Sequence, residues 1–115
     1  MKKTKLGELE ELVLLTVIVL KDKAYGVEIR RELGQRLNEE FSVGSIQTSL
    51  KRLEEKGFLT SEFGEATAKR GGKRKRIYAI TTSGAKVLRQ IRQVRADLWQ
   101  QVPEIIAESS FNGLQ

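Results

Sequence analysis

The sequence predicts a mainly α-helical protein with one small β-hairpin, and three observations carry that expectation. Apolar residues recur at three-and-four spacing over four long stretches, the signature of amphipathic helices. Between the third and fourth stretches lie two short β-branched and aromatic runs separated by a glycine-rich segment, the pattern of a hairpin. The chain has 115 residues, room for one core, and a domain this short leaves about a third of its unfolded surface exposed, so further burial through self-association is expected.

The first helix is expected from Gly7 to Leu20, with Leu9, Leu12, Val13, Thr16, Val17 and Leu20 on its apolar side. Glu8, Glu10 and Glu11 lie near its positive N-terminal end. The polar break at 21–23 ends it. A second helix runs from about Tyr25 to Leu37, with Ile29, Leu33 and Leu37 four residues apart. Ser42 reads as the N-cap of a third, Val43 to Lys56, which Gly57 stops in the left-handed conformation. Its apolar set is Val43, Ile46, Leu50 and Leu53. Residues 58–63 form a strand, Gly64 to Lys73 a loop, and Arg74 to Ile80 the returning strand. Thr82 or Ser83 caps a final helix from Gly84 to Pro103, followed by a short helical piece, Glu104 to Ser109, and a tail. The expected organisation is therefore a domain at 1–83, a helix that pairs with a second copy at 84–109, and a tail at 110–115.

Charge is distributed unevenly. Residues 1–68 hold eleven Lys or Arg against twelve acids, and residues 77–115 hold four against three. Residues 69–76, KRGGKRKR, hold six positive charges and no acid, so the net charge of +6 is concentrated at the hairpin tip and the start of its returning strand. The chain has no His and no Cys, which excludes imidazole acid–base chemistry, thiol nucleophiles, disulfides and the usual zinc sites. Neighbouring acids such as Glu10 and Glu11, or Glu39 and Glu40, do not face each other on a helix and are expected to be solvated surface. RGGK lacks the spacing of a nucleotide-binding loop. No enzyme activity and no cofactor are expected. No apolar run is long enough to span a bilayer and the start has no signal-peptide pattern, so a cytoplasmic location is expected.

Three helices followed by a basic hairpin make a winged helix-turn-helix, in which the third helix lies in the major groove of double-stranded DNA and the hairpin reaches the flanking backbone. The candidate reading residues are Ser42, Gly44, Ser45, Gln47, Thr48, Lys51 and Arg52. Short side chains permit close approach, and Gln47 can both donate to and accept from adenine. The candidate backbone contacts are Lys69, Arg70, Gly71, Gly72, Lys73, Arg74, Lys75 and Arg76, the glycines exposing N–H groups to phosphate. Strand alternation turns Arg74 and Arg76 to one face and Lys73 and Lys75 to the other. Tyr25 reads as packing rather than contact. In the final helix, Val87, Leu88, Ile91, Val94, Leu98 and Val102 form the stripe for a two-fold partner, with Trp99 beside it as an interface anchor. The competing reading is a winged-helix module that binds protein and touches DNA only non-specifically.

YGVEIRREL (25–33), SVGSIQTSLKRLEEKGFL (42–59) and RGGKRKRIYAITTSG (70–84) together resemble the PadR family of bacterial transcription regulators over roughly residues 6–100. The resemblance implies a homodimeric repressor of an inverted-repeat operator, with the helix after the wing supplying the dimer contact. It also implies the short type, without a separate C-terminal effector domain. Some members sense small molecules between the two final helices, often with a tryptophan as stacking surface, which makes Trp99 the possible effector contact for an inducer. One departure stands out: the family usually has a tyrosine in the third helix where this chain has Gln47.

Overall fold

The computed structural model describes residues 6–64 and 75–104. Helix α1 spans Glu8–Leu20 and leads through a 3-10 turn, Lys21–Lys23, to α2 at Gly26–Leu37 and α3 at Val43–Glu55. Strands β1, Leu59–Phe63, and β2, Arg76–Ile80, pair antiparallel with Leu59 opposite Ile80 and Phe63 opposite Arg76. Helix α4 covers Thr82–Gln101. The chain divides into two compact units between Ala85 and Lys86.

In the first unit local chemistry sets the element ends. The Glu10 carboxylate accepts the Gly7 N–H at 2.9 Å and so occupies one of the donors left open at the start of α1. Asn38 closes α2 in the left-handed conformation at φ 54°. Ser42 caps α3 as expected, its hydroxyl oxygen accepting the Ser45 N–H at 3.0 Å. Gly57, at φ 82°, turns the chain out of α3. The cap of α4 is Thr81 rather than Thr82 or Ser83: its hydroxyl accepts the Gly84 N–H at 3.0 Å and donates to the Gly57 carbonyl at 2.7 Å. Gly84 is there because a Cβ would collide with the Phe58 carbonyl and with Ile80.

The core is assembled from Val13, Leu14 and Val17 of α1, Ile29 and Leu33 of α2, and Ile46, Leu50 and Leu53 of α3. Phe58, Leu59 and Tyr78 close it from the hairpin side. Each fully buried Leu or Ile contributes roughly 1.5–3 kcal/mol. Helix α1 is covered more broadly than a single stripe suggests, since Leu14 and Glu10 are buried as well. Thr16 is also buried, its hydroxyl donating to the Leu12 carbonyl at 2.7 Å. At the two helix ends flanking the 38–42 connection, Leu37 and Val43 are exposed, so neither joins the core as expected. The hairpin gains a third, one-residue partner: Tyr25 bridges Ile77, and the Tyr78 N–H donates to the Ala24 carbonyl at 3.0 Å.

In the second unit α4 continues as a regular helix and tightens at its end, where the Val102 N–H donates to the Trp99 carbonyl at 3.1 Å just before Pro103. Of the helical piece expected at Glu104 to Ser109, only Glu104 is among the described residues. No helix among the described residues is long and apolar enough to cross a membrane.

Candidate nucleic-acid interface

Amphipathic spacing puts Ile46, Leu50 and Leu53 of α3 inside, and the remaining positions must face outward. Gly44, Gln47, Thr48, Lys51 and Arg52 are all exposed, so the structure brings the expected reading residues onto one accessible helix face. Ser45 is half-buried and its hydroxyl donates back to the Ser42 carbonyl at 3.1 Å. That hydroxyl proton is engaged in the cap and not directed outward. Ser49, also polar, is buried on the inner side.

Two clefts flank this face. On one side, Gly44, Thr48 and Arg52 border a groove whose opposite wall is Gly7, Glu8 and Glu10 of the α1 start. There the Lys56 ammonium meets the Glu10 carboxylate at 2.7 Å. Burial raises the Glu10 pKa, but the bond from Lys56, the Gly7 N–H and the charges of Lys56 and Arg52 together hold it below its ordinary value of 4.5. Glu10 is therefore a buried anion that ties α1 to the end of α3, not solvated surface as expected. The pair joins residues 46 positions apart, which local spacing cannot reveal.

On the other side lies the root of the hairpin, closed by the Gly64 N–H donating to the Lys75 carbonyl at 2.7 Å. Lys69, Arg70, Gly71, Gly72, Lys73 and Arg74 lie outside the described residues. Lys75 and Arg76 are described, both exposed, and serve different neighbours. The Lys75 ammonium stands 5.5 Å from the centre of the Tyr25 ring, within cation–π range. The Arg76 guanidinium lies 4.4 Å from the centre of the Phe63 ring and donates to the Ser61 hydroxyl at 2.9 Å. Ser61 in turn donates to the Glu54 carboxylate of α3 at 2.7 Å. Arg76 thus fastens β2 through β1 to the outward helix. Behind it, burial first and then the Glu54 charge raise the Tyr78 pKa, against the opposing pull of Arg76, so the phenol stays neutral.

The proposed dimer stripe is divided in exposure. Leu88 is buried, Val87, Ile91 and Val102 are half-buried, and Val94, Leu98 and Trp99 are exposed.

An exposed polar and basic helix face beside a basic hairpin is the arrangement of a DNA-reading winged helix. Residues 14–90 match the model of the transcriptional regulator PadR-like family. The chain belongs to that family. Its sequence is 33% identical over 102 residues to an uncharacterised protein from Lysinibacillus sphaericus, covering 87% of this chain and 85% of that one. Its fold is similar to a PadR family transcriptional regulator from Eggerthella lenta, with a TM-score of 0.65, 26% identity and 86% of each chain covered. A PadR-like transcriptional regulator from Bacillus cereus shares the fold at a TM-score of 0.67 and 22% identity, over 85% of this chain and 90% of that one. Membership of the PadR-like family makes this chain a transcriptional regulator, which implies DNA-binding regulation.

Proposed function

We propose that the protein is a homodimeric cytoplasmic repressor that binds an inverted-repeat operator, reading bases with α3 and gripping the flanking backbone with the hairpin. The observation that carries the reading is the exposed set Gln47, Thr48, Lys51 and Arg52 on one side of α3, beside the exposed cations Lys75 and Arg76. Gln47 is the base reader, because one amide both donates to and accepts from adenine. Lys51 and Arg52, a turn further on, meet the groove wall. Lys75 and the basic residues 69–74 neutralise phosphates, each contact steepening the log–log salt dependence by about 0.9.

Support for the dimer comes from the apolar side chains left in solvent by the single chain: Val94, Leu98 and Trp99 on α4, and Leu15, Ile18 and Val19 on α1. A two-fold pair places two reading helices about 34 Å apart, one turn of DNA. Trp99 anchors that contact in preference to stacking on an inducer.

Footprinting over the promoter of the protein's own gene tests the reading. Two protected half-sites one helical turn apart are expected. A uniform, salt-sensitive association with no protected half-site would favour a protein-binding module with only non-specific DNA affinity.

A further inference from the structure

Gly26 opens α2, and the side chain of Gln47 from α3 lies across it. A Cβ on Gly26 would stand 2.8 Å from Gln47 Nε2, closer than a carbon and a nitrogen approach without displacement. The obstructing atom is the tip of a flexible side chain, not backbone. Any side chain at position 26 therefore moves the amide and leaves both helices where they are. Both residues line a cleft of about 240 Å³ between the start of α2 and the hairpin root, which Tyr25 and Lys75 also line.

We propose that Gly26 is a specificity-determining position: it touches no base itself but keeps open the space in which the Gln47 amide rests. The inference rests on the reading of α3 as the base-contacting helix. A glutamine side chain has three rotatable bonds, and bidentate readout needs its N–H and C=O aligned together with one adenine edge. Immobilising so flexible a side chain on binding is costly, and a resting place that narrows its rotamers beforehand lowers that cost. With Gly26 the amide lies on the hairpin side of α3, beside Tyr25 and Lys75. A methyl group at position 26 expels it from that place and changes which base edge it meets.

Gly26→Ala tests this, and alanine is the better helix former, so the variant is expected to fold. Three measurements are made on the full chain: the Gln47 side-chain amide resonances, the sequences selected from a random DNA pool, and the salt dependence of binding. The amide resonances are expected to move, and discrimination at one base position per half-site to change roughly tenfold. That base position is the one Gln47→Ala also affects, the salt slope is unchanged, and Gly26→Ala adds nothing once Gln47 is alanine. A wild type that selects no sequence would overturn the reading of α3 and this proposal with it. A selective wild type whose preference survives Gly26→Ala would overturn this proposal alone. So would a sequence-independent loss with a shallower salt slope, or an effect that persists undiminished in the Gln47→Ala background.

Discussion

The core of the winged unit and the far half of α4 treat the same kinds of side chain in opposite ways. Leu14, Ile29, Leu50 and Leu53 are fully buried, drawn from three helices that cover one another. Val94, Leu98 and Trp99 on α4 are more than half exposed, although Val94 and Leu98 stand four apart, the same step as the buried pair Ile46 and Leu50. Periodicity thus identifies an apolar face but not what covers it. In the core of the winged unit the cover is supplied by the chain itself. For α4 we propose that it is supplied by a second copy.

The largest test of that contrast is truncation on both sides of it. Leu50→Ala should lower the unfolding free energy by about 2–5 kcal/mol in urea titrations, since it opens a cavity in a closed core. Leu98→Ala should change that free energy through association alone, seen as an unfolding midpoint that no longer varies with protein concentration. Next in size is the pairing itself. Ile91→Glu combined with Leu98→Glu should reduce the sedimenting mass to that of one 13.0 kDa chain, leave the helix content intact and abolish operator protection. A wild type that already sediments as one chain at micromolar concentration would remove the second half of the contrast.

Smaller effects separate reader from clamp on the outer surface of the winged unit. Gln47→Ala should alter preference by about 1–3 kcal/mol at one base position per half-site. Lys75→Ala should weaken all sequences alike and reduce the salt slope by about one. The smallest effect concerns Glu10. Because its folded pKa lies below the ordinary 4.5, its stabilising contribution is complete above that value and is lost as the pH falls through the lower folded one. Glu10→Gln should therefore cost roughly 1 kcal/mol at neutral pH and progressively less as the pH falls below 4.5, followed by urea titration across that range.

Much of the fold was legible because it is written at short range. Ser42 and Gly57 mark the ends of α3 by their own chemistry, and Ile46, Leu50 and Leu53 mark its inner side by spacing. The outward set on α3 follows as the complement of that side. What was not legible depends on neighbours distant in sequence. Glu10 reads as one of three similar acids at a helix start, and only the arrival of Lys56 makes it a buried anion. Leu14 falls outside the apolar stripe expected of α1, yet that helix is covered on more than one side. Thr81, Thr82 and Ser83 offer the same hydroxyl, and the Gly57 carbonyl decides which of them caps α4. Arg76 reads as one of six basic-segment cations, on the same strand face as Arg74, whereas the hairpin register sets it opposite Phe63 and near Ser61.

The Arg76–Ser61–Glu54 chain has a consequence for how the molecule opens. A two-stranded hairpin of five-residue strands is marginal by itself in water. Fastened to α3 through one serine hydroxyl, with Tyr78 set into the same core, it loses the option of fraying while the helix stays formed. The hairpin root and α3 are then expected to open as one cooperative unit, neither before the other. Backbone amides of β2 and α3 should accordingly exchange their hydrogens for deuterium with a common free energy of opening. Ser61→Ala should split that value in two, with β2 becoming the less protected.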